Sequence, residues 1–137
     1  MNLDKLASLI KKGNFGLLLM RVMLGVCMVM HGMPKMAGGS DTFEALGRAM
    51  EVFGVTYFPV FWGFLAALAE TLGGVLIIIG YQFRLAAFFI AMVMLVACLY
   101  DYNPEKVFQS ISYPLELFSV FIALVFIGPG KFSIDRE

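Results

Sequence analysis

Tyr57-Phe58-Pro59-Val60-Phe61-Trp62-Gly63-Phe64-Leu65-Ala66-Ala67-Leu68-Ala69-Glu70-Thr71-Leu72-Gly73-Gly74-Val75-Leu76-Ile77-Ile78-Ile79 decides the fold. A single charge, Glu70, interrupts an apolar run long enough for the ~20 residues that a membrane-spanning helix requires. A carboxyl is tolerated there only if it is paired or faces a polar interior. The segment is therefore read as a transmembrane helix with neighbours, and Glu70 marks the side on which they pack.

Three further apolar segments lie on either side of it. Phe15 to Met33 is broken by Arg21 and His31, whereas Leu85 to Tyr100 and Tyr113 to Ile127 are shorter and reach a span with flanking residues and tilt. The expected spans are 14–33, 57–79, 84–101 and 113–128. Composition agrees: 61% hydrophobic and 15% charged, with mean hydropathy +0.87, against roughly 45–50% and about 25% in soluble domains. A soluble helical bundle is disfavoured on these grounds. The expected architecture is all-α, an integral membrane four-helix bundle of up-down topology in one domain, 1–137. A formal net charge of zero, with scattered Lys and Arg, argues against nucleic acid as a partner. Lys11-Lys12 before an apolar run resembles a signal peptide, but Arg21 interrupts the run and no small-x-small cleavage site follows, so this segment is expected to stay. Ahead of it, Leu3, Leu6, Leu9 and Ile10 alternate with Lys5, Lys11 and Lys12 at helical spacing, as in a short helix lying on the membrane surface.

Basic residues outside the spans set the orientation. Lys5, Lys11, Lys12, Arg84, Lys131 and Arg136 fall on the side of the N-terminus, and Lys35, Arg48 and Lys106 on the other. The bias places both termini in the cytoplasm. The long connection Pro34 to Thr56 then lies outside. It reads as a flexible Ala37-Gly38-Gly39-Ser40 followed by a short amphipathic helix, with Asp41 and Glu44 as an N-terminal cap pair and an apolar stripe of Phe43, Leu46, Met50 and Phe53. Such a helix would lie over the outer face as a lid or as a plain interfacial connector.

Depth follows from a rise of ~1.5 Å per residue across a core of ~30 Å. Arg21 and Glu70 both come out about 10 Å above the inner boundary, on helices expected to be antiparallel neighbours, so the guanidinium and carboxylate are expected to pair. Gly25 and Gly32 on one helix, and Gly63, Ala66, Ala67 and Gly74 on the other, permit a close approach. The pair is either a staple or a site. His31, Asp101 and Glu116 fall within about 5 Å of the outer boundary; together they would relay protons or hold a metal, and apart they would simply reach interfacial water. A single histidine cannot supply bis-imidazole ligation of a haem, and no metal site is assigned. Cys27 and Cys98 share a depth but sit on diagonal helices, so two free thiols are expected. Trp62 is read as an interfacial anchor.

His31-Gly32-Met33-Pro34-Lys35 after Arg21-x-x-x-Gly25, then Glu70-Thr71-Leu72-Gly73-Gly74, Gly80-Tyr81-Gln82-Phe83-Arg84, and Gly128-Pro129-Gly130-Lys131-Phe132-Ser133-Ile134-Asp135 form a series of signatures. The series resembles the DoxX family over nearly the whole chain. Where the family commonly has Arg and Tyr after the Gly-Pro-Gly, this chain has Lys131 and Phe132. The resemblance implies a four-helix protein of the bacterial inner membrane. It also implies an association with redox work, because the family name comes from a subunit of a quinone-reducing oxidoreductase and many relatives carry an oxidoreductase label.

Gly128-Pro129-Gly130 is expected to stop the last helix, leaving Lys131 and Asp135 to form a cytoplasmic clasp with the loop at Gly80 and Arg84. That clasp would be structural, or would dock a soluble partner or a quinone headgroup. The residues singled out for catalysis are Arg21, Glu70 and His31, and those for holding a cofactor are Arg21, Glu70, Glu116, Arg84 and Lys131. The leading expectation is a membrane subunit of a quinone-linked redox system, with a polar intramembrane site around Arg21 and Glu70. A redox partner protein would supply the electrons, since the sequence carries no flavin fingerprint, haem ligand pair or iron–sulfur cysteine set. The alternatives are a non-catalytic scaffold or assembly factor, which needs only surfaces, and a transporter, for which four helices leave little room unless the chain forms a homo-oligomer.

Overall fold

The computed structural model describes residues 2–11 and 13–135. Its described helices are α1 (Leu3–Lys11), α2 (Asn14–Ala37), α3 (Gly39–Gly47), a 3-10 helix (Arg48–Phe53), α4 (Pro59–Ile79), α5 (Phe83–Tyr100) and α6 (Val107–Ile127). Helices α2, α4, α5 and α6 are each long and apolar enough to cross a membrane, and they run up and down in that order. The expected four-helix membrane bundle is the fold observed. We call the end where α2 begins and α6 finishes basal, and the opposite end distal. Lys12 and Arg136, used for the orientation, lie outside the described residues, as do the side chains of Leu9, Ile10 and Lys11.

Each long helix packs on the next one in the chain: α2 on α4, α4 on α5 and α5 on α6. The ring is not closed by backbone, because among the described residues no Cα of α2 comes within 8 Å of one in α6. Met28, Ile77, Phe83, Ile90, Phe121 and Leu124 fill the centre with the small Ala86, Ala87 and Ala91. Between lipid-soluble helices such packing is held by van der Waals contact rather than by escape from water, so close approach matters most. Gly25 and Gly74 supply it where α2 crosses α4; a Cβ on Gly25 would strike the Gly74 carbonyl and Ile78.

Two helices run longer than the hydropathy pattern implies. α2 continues through Pro34 to Ala37, and α6 begins at Val107, before Tyr113, and also runs through a proline, Pro114. Proline removes one hydrogen bond and bends a helix without necessarily ending it when neighbours hold both sides. The connection after α2 is helical as expected, but its capping differs. Gly38 is the N-cap and no side chain caps α3; Glu44 instead pairs with Arg48 at 2.8 Å, and that hydrogen bond raises the Arg48 guanidinium above its ordinary pKa. α3 lies on the distal half of α4 so closely that a Cβ on Gly63 would run into the Phe43 carbonyl, and one on Gly47 into that of Pro59. Phe43 meets Phe64 edge-on at 5.6 Å.

Candidate functional site

Arg21 and Glu70 are both buried, at 1% and 2% exposure, but they do not pair. Arg21 lies against the end of α4, seven to eight residues beyond Glu70, or about 11 Å along the axis. Its Nε donates to the Ile77 carbonyl at 3.1 Å and Nη2 to Ile78 at 2.8 Å. Nη1 donates to Pro129 at 2.9 Å and to Phe132 at 2.7 Å. The expected depths assumed that α2 and α4 are cut by the same boundary planes. In fact α2 extends basally past α4, and the tail after α6 packs into the step.

The basal clasp is therefore built around Arg21, with the chain tail as its other half. Gly128 and Gly130 take positive φ angles of 84° and 76° and turn the tail beneath the bundle. Ile134 N–H donates to the Ile79 carbonyl and Asp135 N–H to that of Gly80. The Asp135 carboxylate accepts from the N–H groups of Gln82 at 3.1 Å and Phe83 at 2.9 Å, satisfying the orphan donors at the start of α5. Arg84 donates to the Val125 and Phe126 carbonyls at the end of α6. Lys131 is exposed, and its backbone N–H reaches the Asn14 side chain at 3.3 Å. Arg21 and Arg84 are thus committed to helix-end carbonyls, where the negative end of the macrodipole favours a cation.

Glu70 belongs to the distal half and takes Lys35 as its partner. Lys35 Nζ donates to both carboxylate oxygens, at 2.8 and 2.7 Å. The Lys35 side chain is 32% exposed against 3% for Glu70, so the pair joins a buried carboxylate to the distal surface. One turn before Lys35 on α2, His31 Nε2 lies 2.8 Å from Tyr113 Oη of α6, with the rings 5.7 Å apart. That contact bridges α2 and α6 where their backbones stay apart.

These pairs line a cavity of about 550 Å³, within the ~300–1,000 Å³ of small-molecule sites. α3 and the 3-10 helix roof it through Leu46 and Met50; Leu65, Phe89 and Val93 make its apolar walls, and Asp101 stands at its margin. Trp62, expected as an interfacial anchor, also lines it. Among the described residues the Trp62 Nε1 donor is buried without a partner. A buried N–H left unsatisfied is costly, and this one belongs to an indole whose other atoms face the cavity.

Of the residues singled out from the sequence, Glu70 and His31 line the cavity, Arg21, Arg84 and Lys131 are basal, and Glu116 faces outward from α6. The expected grouping of His31, Asp101 and Glu116 does not form, and among the described residues no three His, Cys, Asp or Glu side chains gather closely enough to hold a metal. Glu116 sits deeper than expected because α6 starts six residues earlier. Cys27 and Cys98 are free. The sequence reading missed Lys35, Tyr113 and Trp62. Lys35 could have been found: it follows His31 by four residues, and helical spacing puts both on one face once Pro34 is not treated as the end.

The sequence profile of the DoxX family matches residues 16–102. The chain is 31% identical to "Inner membrane protein YqjF" of Escherichia coli K12 over 129 residues, covering 92% of this chain and 94% of that protein. It is 29% identical to "Putative oxidoreductase CatD" of Bacillus subtilis 168 over 85 residues, covering 62% and 58%. No solved structure matches it. With four spanning helices, the Arg21 and Glu70 segments inside the matched region and near full-length similarity to one relative, the chain is a multi-pass membrane protein of the DoxX family.

Proposed function

We propose that the protein is an inner-membrane component of a quinone-linked redox system that holds the quinone ring in the distal cavity, with both chain termini in the cytoplasm. The observation that carries the reading is the apolar cavity with the Trp62 indole on one wall and the Lys35–Glu70 pair on another. A flat ring with carbonyl oxygens matches it: the apolar walls take the ring and the fixed donors take the oxygens. The names of the two relatives, "Inner membrane protein YqjF" and "Putative oxidoreductase CatD", point the same way. The site moves from the expected Arg21 position to Lys35, with Glu70 kept.

A quinone supplies two-electron, two-proton chemistry when bound, and the electrons come from a partner redox protein. The Trp62 indole packs against the ring and sets its plane. Lys35 Nζ holds a proton beside Glu70 and, being half-open to the distal surface, replaces it from water. Tyr113 Oη and His31 provide a second polar point across the cavity. A scaffold role is the second reading, and the outward-facing carboxyl of Glu116 favours it.

Trp62 is the chain's one tryptophan, so its emission reports on the cavity directly. Titrating a short-chain ubiquinone or menaquinone analogue into nanodisc-held protein should quench Trp62 saturably. Glu70→Gln should weaken that binding roughly tenfold, the scale set by a charge-assisted contact. Quenching that is linear and equal to that of a tryptophan ester in empty nanodiscs would remove the quinone site.

A further inference from the structure

Glu116 is the tenth of the 21 residues of α6, about 14 Å from Val107 along the helix. It therefore lies at the middle of the span. Pro114, Phe121 and Leu124 form the buried face of α6. At 3.6 residues per turn, Ser112, Glu116, Ser119 and Ala123 fall on the opposite side. Glu116, Ser119 and Ala123 are exposed there, and among the described residues Glu116 has no hydrogen bond or ion pair. A carboxyl facing acyl chains at mid-bilayer, charged or neutral, lacks the partners it would have in water. Something with polar groups at the same depth must cover it.

We propose that α6 is a homodimerisation helix whose Ser112–Glu116–Ser119–Ala123 stripe docks against the same stripe of a second copy. Two copies in one bilayer share an orientation and are related by an axis along the membrane normal, so each group meets its own depth on the partner. This requirement selects a second copy, because the same stripe carries the complementary atoms. Ser119 Oγ donates its proton to the Leu115 carbonyl at 2.8 Å, so its oxygen is free to accept. Protonated Glu116 of one copy donates to that oxygen on the other, and the two-fold axis forms the bond twice. Ser and Ala on either side leave room for the backbones to approach, as membrane helix pairs require. The proposal does not depend on the quinone reading.

The test uses the full chain in mild detergent and in membranes. Light scattering should give a dimer mass for the unmodified protein and for Glu116→Gln, which keeps a donor. Glu116→Leu should raise the dimer dissociation constant roughly tenfold or more, and Ser119→Ile should do the same by crowding the contact. Helical circular dichroism unchanged from the unmodified protein shows that each variant is folded; Ser119→Ile serves if Glu116→Leu is not. In membranes, Ala123→Cys in a Cys27→Ala, Cys98→Ala background should cross-link to dimers under copper oxidation, and Phe88→Cys on α5 should not. A monomeric unmodified protein, undiminished dimerisation of both face variants, or cross-linking of Ala123→Cys to a different protein instead of itself would overturn the proposal.

Discussion

Arg21 does the work of a fastener. Its four hydrogen bonds tie α2, the end of α4 and the tail together, and a lysine cannot reproduce the fork that reaches them all. Each hydrogen bond from a charged donor contributes about 1.5–3 kcal/mol, so Arg21→Lys and Arg21→Leu should both lower stability by several kcal/mol, and Leu more. Thermal unfolding in detergent reads this directly, and an Arg21→Leu protein as stable as the original would refute the clasp. The sequence marked Arg21 and Glu70 correctly as interior positions, since a charge in an apolar run needs polar partners; Glu116, in the same kind of run, faces outward. Their partners were not legible. Pairing depends on the axial offset between two helices, and nothing in hydropathy measures how far Asn14–Met20 projects past Gly80.

At the level of elements, the structure is held by ends that cap one another. Asp135 supplies to α5 the cap that Gln82, held at φ 47°, does not provide from its own side chain. Asp135→Ala should cost about 0.5–2 kcal/mol, the range for loss of a helix cap. The Gln82 and Phe83 amides should then exchange faster while the middle of α5 stays protected; unchanged exchange at those two amides would show that the carboxylate is not their partner. The Gly128-Pro129-Gly130 stop and the contact of Asp135 with the Gly80 loop were readable from the sequence, because chain-breaking residues act locally; Lys131, expected in the same clasp, is exposed and only its backbone N–H is held, by Asn14. The cap pair assigned to Asp41 and Glu44 was not formed, since α3 follows α2 with only Gly38 between them and the chain turns at Gly39, held at φ 71°. The start of α6 at Val107 was also hidden. Its first turns carry Gln109 and Ser110, which hydropathy counts as loop although a helix accepts them.

For the whole molecule, hydropathy alone gave four spans and an up-down bundle, because lipid leaves few other ways to satisfy a backbone. The cavity was beyond that reasoning. It arises where α3 folds back over α4, a contact made by Gly47 and Gly63 that no periodicity announces. Orientation is open to a direct check: single cysteines at Ser40 and Lys131, in a background free of Cys27 and Cys98, should react with a membrane-impermeant maleimide from the periplasmic side at Ser40 only. Labelling of Lys131→Cys in intact cells would reverse the assignment. The incomplete contact between α2 and α6 has a consequence for how the chamber fills. On the proposed reading, a hydrophobic guest already dissolved among the acyl chains would enter sideways by parting His31 from Tyr113, at the cost of about 1–3 kcal/mol for a hydrogen bond left unmade away from water. It need never pass through an aqueous doorway, and its long tail can stay in the leaflet while its head is held inside.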